Sequence, residues 1–305
     1  MAAVALLLAL AWAAGRWLTP PGELVRGIDW TILNLALPAL VLRTVPDVTL
    51  GADAAVPVGV AWAVLVLGAA AVWVVARVVG WSRQLTGALM LVVPLGNTSF
   101  LGFPAVEALL GAQALPAAVL YDQLGTFLAL STYGAVVAGA YGAAETRPSA
   151  ASIGRRVLAF PPFLALLAAL ALGWGQRRGV AMPGSVDDAL QLLAATLTPL
   201  AMVSIGVRLA SIRLSRPSAP VVFGLAFRLV ALPAVVVAVA LVAGASGPAW
   251  QASALEAAMP PMVTAGIVAT SAGLDEKTVA QLVGVGLVLS LATLPLWAWL
   301  IGVTL

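Results

Sequence analysis

A chain of 305 residues that is 62% hydrophobic and only 9% charged, with a mean hydropathy of +1.08, carries more apolar surface than a soluble core can bury. Cysteine and histidine are absent, which excludes disulfides, thiol nucleophiles and the usual zinc and haem ligands. The net charge of +3 is small, so we expect an all-α polytopic membrane protein with no cofactor, no metal site and no nucleic-acid partner.

Ten apolar segments are long enough, or nearly long enough, to cross a bilayer. They cover 2–19, 28–45, 56–79, 84–111, 115–142, 154–175, 187–210, 218–243, 249–272 and 277–302. The second and seventh are the weakest, because each is short and has a central proline, Pro38 or Pro199. The N-terminal segment lacks a basic leading stretch, so we expect a first span rather than a cleaved signal peptide.

Lysine and arginine predict the orientation, because cytoplasmic loops carry an excess of these residues. Eleven are expected on one side: Arg16, Arg26, Arg77, Arg83, Arg147, Arg155, Arg156, Arg208, Arg213, Arg216 and Lys277. Three are expected on the other: Arg43, Arg177 and Arg178. The bias predicts that both termini lie outside the cytoplasm. We expect an integral protein of a bacterial inner membrane.

The ten spans divide into two halves, residues 1–142 and 154–305, joined by a short cytoplasmic linker at 143–153. Because five is an odd number, the two halves must enter the membrane from opposite sides, which is the geometry of an inverted repeat. Pro38 in the second span and Pro199 in the seventh occupy corresponding places.

Spans 4 and 9 are interrupted at their centres. They read PLGNTSFLGFP at 94–104 and EAAMPPMVTAG at 256–266. A backbone group left unpaired in hydrocarbon is costly, so such breaks persist only where protein or a water-filled cavity faces them. Corresponding breaks in two halves predict crossed broken helices and indicate a transporter's binding site, although proline and glycine are common in membrane helices in any case.

The ends of broken helices predict the ligand. Helix N-termini carry unpaired N–H groups and partial positive charge, which suit a small anion or zwitterion such as a carboxylate. Asn97 is our first candidate for substrate contact, because its amide both donates and accepts; the alternative is a hydrogen bond between helices. Thr98, Ser99 and Thr264 are equally compatible with substrate contact and with bonds to their own helix backbone.

Ionisable and amide side chains inside spans are usually functional. We expect coupling or support roles for Asp122, Gln123, Glu256, Glu107 and Arg228. Burial makes Asp122 and Glu256 the candidates for a coupled proton. A buried guanidinium must meet an acid, a helix C-terminus or the substrate, and Glu256 and Glu107 are the candidate acids for Arg228; a structural ion pair explains it equally well.

Four segments resemble the auxin efflux carrier family of permeases: 34–40, 96–104, 199–206 and 256–261 with 272–275. The resemblance implies the bile-acid sodium symporter-like fold, in which scaffold helices 1, 2, 6 and 7 hold transport helices 3–5 and 8–10 that move as an elevator. It also implies a homodimer and organic-acid substrates. By position it makes Asn97 a substrate contact, Pro104, Pro260 and Pro261 crossover residues, and Gln123 a support residue.

Together these features predict a secondary transporter of small organic anions in the lipid bilayer. The resemblance extends to sodium-coupled relatives, but no full oxygen cage for sodium is present in this sequence, so a proton is the favoured coupling ion. The alternatives are an uncoupled uniporter or channel and a ligand-binding sensor of the same fold. An enzyme is not expected, because there is no histidine, no cysteine and no Gly-x-Ser-x-Gly elbow.

Overall fold

The computed structural model describes residues 2–18, 22–46, 51–143, 149–179, 182–211 and 216–305. Across these ranges the protein is all-helical, without a strand. Two of the loop arginines used to predict the orientation, Arg147 and Arg213, lie outside the described residues, as does part of the predicted linker, 144–148.

The helices follow one another with short connections. In chain order they are α1 (Ala2–Trp17), α2 (Gly22–Thr44), α3 (Ala52–Val79), α4 (Arg83–Val92), α5 (Thr98–Leu110), α6 (Ala112–Tyr141), α7 (Ala150–Leu158), α8 (Pro161–Gln176), α9 (Gly184–Ser211), α10 (Ala219–Val242), α11 (Pro248–Ala257), α12 (Val263–Ser271) and α13 (Glu276–Thr304).

Six of the described helices are long and apolar enough to cross a membrane, namely α2, α3, α6, α9, α10 and α13. Three shorter apolar helices accompany them, in α1, α5 and α8. A polytopic helical membrane protein is therefore confirmed. The count of ten spans and the inverted repeat stay predictions.

The predicted sixth span begins differently in the structure. We expected one helix over 154–175, but a separate helix α7 ends at Leu158 and α8 begins at Pro161. Phe160, which precedes two prolines, has extended backbone angles, φ −82° and ψ 115°, as expected for a residue before proline. The chain bends there, and the apolar helix that follows has 16 residues.

Pro38 does not interrupt α2. A π-helical stretch, Ile32–Ala36, precedes it, and the chain remains helical to Thr44. A π turn is one of the local adjustments that absorb a missing proline donor in membrane helices. Pro199 lies early in the second part of α9, after a turn at Thr196.

Helices α1 and α9 pack unusually closely through small residues. A Cβ added to Gly15 would lie 2.8 Å from the Cβ of Ala210, and one added to Gly206 would lie 2.5 Å from the Cβ of Ala11. Small residues at a helix interface let two backbones approach, which is the main source of helix association in lipid. These two helices form a rigid pair beside the broken ones.

The two predicted breaks lie between helices α4 and α5 and between helices α11 and α12. Proline supplies the reason in both cases: Pro94 and the pair Pro260-Pro261 lack the N–H groups that would continue α4 and α11. The chain between the helices is extended, and the two breaks contact each other. Gly96 and Pro261 form an isolated antiparallel bridge.

Candidate functional site

Two backbone hydrogen bonds join the breaks. The Asn97 N–H donates to the Pro260 carbonyl at 2.8 Å, and the Met262 N–H donates to the Leu95 carbonyl at 3.0 Å. The paired segments thus satisfy backbone groups that hydrocarbon would leave unpaired. Four helix ends meet here, the C-termini of α4 and α11 and the N-termini of α5 and α12. We call this meeting point the crossing.

The Asn97 side chain remains free at the crossing. Asn97 is 4% exposed, and its amide makes no hydrogen bond to another described residue. It lies immediately before α5, whose first N–H groups have no partners within the helix. A buried amide without a partner is costly unless a ligand or water satisfies it, so Asn97 stays a candidate for ligand contact.

Behind Asn97, hydroxyl groups converge on a buried carboxylate. Thr98 Oγ1 and Ser99 Oγ both donate to Oδ1 of Asp122, the latter at 2.7 Å. Gln123 Nε2 donates to Oδ2 of Asp122 at 2.6 Å. All four side chains are buried, so the start of α5 is fixed to the centre of α6. Thr98 and Ser99 use their hydroxyls as donors between helices rather than to their own backbone.

Glu256 has no comparable partners. It is fully buried at the end of α11, and neither carboxylate oxygen accepts a hydrogen bond from a described residue. The Oε1 atom of Gln123 is likewise buried and unpaired. An ionised carboxylate without donors in a protein interior is strongly unfavourable. Each of these oxygens is therefore able to accept a hydrogen bond that no described residue supplies.

Arg228 lies on the other side of the crossing, buried in a π-helical stretch of α10, Phe227–Ala231. Its three hydrogen bonds all go to backbone carbonyls: Nε to Met259 at 2.7 Å, Nη1 to Pro94 at 2.9 Å and Nη2 to Glu256 at 3.4 Å. Of the partners considered from the sequence, a helix C-terminus is therefore correct. Neither candidate carboxylate accepts a hydrogen bond from it.

Two predicted site residues lie outside this buried cluster. Glu107 is exposed and accepts a hydrogen bond from the hydroxyl of Thr198 on α9 at 3.1 Å. Thr264 is in the first turn of α12, close to the break in sequence, but its side chain is exposed. The structure brings together Asn97, Thr98 and Ser99 with the other polar residues, but not these two.

Pro104 lines an apolar cavity of about 160 Å³ between α1, α5, α9 and α13. Leu8, Leu101, Met202 and Leu294 are among its other walls. Leu101, one turn beyond the break, is the lining residue nearest in sequence to the crossing. Pro260 and Pro261 lie in the second break itself, where Pro260 provides the carbonyl that Asn97 uses.

Sequence reasoning missed two glycines that make room for the charged groups. A Cβ at Gly96 would overlap Nη2 of Arg228 and lie 2.8 Å from its Cζ. A Cβ at Gly102 would overlap Oε2 of Glu256 and lie 2.6 Å from Oε1. From the sequence, both glycines were noted only as letters of the interrupted segment at 94–104. The sequence carries no signal of this second role, because the role depends on which side chain lies opposite each glycine.

Asp29 has a partner that the sequence did not suggest. Its carboxylate pairs with Arg208 of α9 and accepts a hydrogen bond from Ser204 at 2.6 Å. Both members of the pair are partly buried. The pair joins α2 to α9, away from the crossing.

Interrupted helices that meet around buried charges within an apolar helical body define the class: a membrane transport protein. The chain belongs to the membrane transport protein family, also called the auxin efflux carrier family, whose model matches residues 1–298. The family resemblance seen in the sequence is thereby confirmed.

Two archaeal relatives are similar over most of this chain. An uncharacterized transporter of Methanothermobacter thermautotrophicus is 28% identical over 276 residues, which cover 89% of this chain and 87% of the relative. An uncharacterized transporter of Methanocaldococcus jannaschii is 26% identical over 215 residues, covering 70% and 68%. Membership in a transporter family supports a non-enzymatic role. Because both relatives are archaeal, the expected bacterial inner membrane and the placement of the termini stay predictions.

Proposed function

We propose that the protein is a secondary transporter that carries small organic anions, such as carboxylates, across the membrane and binds them at the crossing. The observation that carries the proposal is the buried, unpartnered amide of Asn97 beside the N-termini of α5 and α12. An amide donor and unpaired helix N–H groups suit a carboxylate. In the proposal, the hydrocarbon part of such an acid extends along α5 towards the apolar cavity lined by Pro104.

A proton is the coupling ion in this proposal. Glu256 is fully buried with two unpaired oxygens, whereas Asp122 already accepts hydrogen bonds from hydroxyl and amide donors. A proton on Glu256 removes the cost of burying its charge without any new protein contact. Asp122 then holds α5 in place, and Glu256 carries the proton.

An elevator movement is proposed for the transport step. The rigid α1–α9 pair and the Asp29–Arg208 ion pair support a fixed scaffold that includes α2, and the helices that carry the crossing form the moving part. A homodimer through the scaffold is the assembly implied by the family.

The alternatives are an uncoupled uniporter or channel, and a sensor that binds the same ligands at the same crossing.

The test is charge movement across proteoliposomes adsorbed on a solid support. A panel of monocarboxylates, dicarboxylates and aromatic carboxylates is added at two pH values, with and without sodium. We expect a saturable current for some acids that depends on pH and is unchanged by sodium. Electroneutral proton symport gives no current, so it is detected by substrate-dependent quenching of a pH-sensitive dye inside the proteoliposomes.

The variant Asn97→Ala should abolish the response. Asn34→Ala is the matched control, because the Asn34 amide donates to the carbonyl of Trp30 in its own helix at 2.8 Å. Full activity of Asn97→Ala would contradict the binding site. Linear, non-saturating flux would favour a channel, and a ligand-induced rise in melting temperature without any flux would favour a sensor.

A further inference from the structure

Arg228 is the largest of the fully buried side chains among the described residues, at 1% exposure. A guanidinium carries five N–H donors and a permanent charge, so burying one is costly unless it is well bonded. Here its partners are three backbone carbonyls, those of Pro94, Glu256 and Met259. No described carboxylate lies within ion-pair distance of it.

These carbonyls belong to the C-terminal ends of the two helices that stop at the crossing. Pro94 follows the end of α4, and Glu256 and Met259 belong to the last turn of α11 and the residues after it. A helix C-terminus has carbonyls without intrahelical partners and a partial negative charge. Two such ends facing one another repel unless a cation lies between them. Converging carbonyls are also the ligands that hard metal cations prefer.

We propose that Arg228 is the resident cation of the crossing, holding the C-termini of α4 and α11 together in the way that a bound metal cation would. The charge is supplied by the chain itself, so this part of the crossing needs no inorganic ion. The proposal concerns the crossing and is independent of the transport function. It would hold equally for a channel or a sensor with this fold.

Gly96 supports the proposal independently. It lies directly beside the guanidinium, and any side chain at this position would overlap Nη2. The break is thus shaped around the guanidinium as well as bonded to it. The π-helical stretch that contains Arg228 lies near the middle of α10, and the side chain is buried there.

The experiment measures the melting temperature of purified protein in detergent by intrinsic tryptophan fluorescence. We expect Arg228→Ala to lower it by about 10 °C, because the variant leaves two facing helix ends without a cation. Millimolar guanidinium chloride should restore part of that loss. Tetramethylammonium chloride at the same ionic strength should not, because it has no N–H donor and is too bulky for the vacated site.

Arg208→Ala is the matched control, since Arg208 pairs with a carboxylate in a partly exposed place and should gain nothing from guanidinium. A second comparison does not need the alanine variant to fold. Arg228→Lys keeps the charge and Arg228→Met keeps a similar length without it, so the lysine variant should melt at the higher temperature. The proposal is overturned if Met equals or exceeds Lys, or if guanidinium acts equally on wild type and Arg228→Ala.

Discussion

Gly102 lies directly against the carboxylate of Glu256, although the two residues come from different halves of the chain. A Cβ at Gly102 would lie 2.6 Å from Oε1 and would overlap Oε2. The backbone of α5 therefore forms one wall of the space that holds the acid. This contact makes the position of Glu256 depend on the absence of a side chain in α5.

Gly102→Ala should displace Glu256 and destabilise the crossing. We expect a decrease in melting temperature of about 5 °C, of the size that overpacking causes in a close-packed interior, together with loss of carboxylate transport. Gly59→Ala is the control, because Gly59 lies in α3 with open space around its Cβ position. The double variant Gly102→Ala/Glu256→Ala should recover stability relative to Gly102→Ala alone. If it does not, the clash with Glu256 is not the cause.

Glu256→Gln should remove the pH dependence of transport while the protein keeps its fold. Glutamine has nearly the shape of a protonated glutamate but cannot release a proton, and Glu256 has no hydrogen-bond donor that a change of charge would lose. We expect a melting temperature within about 3 °C of wild type. The measurement is the transport rate over a pH series. A variant with the full wild-type pH profile would exclude Glu256 as the proton carrier.

Asp122→Asn should destabilise the folded protein, unlike Glu256→Gln. The two oxygens of Asp122 accept from Thr98, Ser99 and Gln123, and an amide at this position keeps only one oxygen as an acceptor. Each lost bond to a charged acceptor costs about 1.5–3 kcal/mol, and we expect the melting temperature to fall by about 5–10 °C. Asp188→Asn, at an exposed position of α9, is the control and should leave the melting temperature unchanged. Wild-type stability of Asp122→Asn would show that the cluster is not structural.

A double-mutant cycle over Asp29 and Arg208 should reveal a modest coupling. The two side chains remain 20% and 31% exposed, so solvent screens the pair and limits its contribution to about 1 kcal/mol. The cycle uses Asp29→Asn, Arg208→Gln and both together, with unfolding in detergent as the measurement. Additive effects of the two single variants would mean that the pair does not hold α2 to α9.

Much of the site could be identified from the sequence because hydrocarbon makes polar residues conspicuous. Asn97, Asp122 and Glu256 stand out in apolar segments whatever the tertiary structure. The interruptions were equally visible, because proline cannot donate within a helix. Sequence spacing does not reveal which groups meet across helices. The bonds from Thr98 and Ser99 to Asp122 depend on how α5 lies against α6.

The surroundings of Glu107 and Arg228 could not be predicted from the sequence, for two different reasons. Helix α5 begins with a π-helical stretch, Thr98–Gly102, which inserts an extra residue in the turn and rotates the following residues. A regular 3.6-residue repeat does not anticipate that Glu107 is exposed. For Arg228, individual acids could be named from the sequence. Every residue has a backbone carbonyl, so the sequence does not indicate which carbonyls lie near a given side chain. A helix C-terminus could be suggested only as a class of partner.

The antiparallel contact between Leu95–Asn97 and Pro260–Met262 is made by main-chain atoms alone. An alanine scan, which changes only side chains, would leave both of its hydrogen bonds intact. The contact can instead be reached through the peptide bond itself, by semisynthesis with an ester in place of the amide at Asn97 or Met262. Such a replacement removes a single N–H donor, and the two breaks then lose one of the two backbone hydrogen bonds that join them.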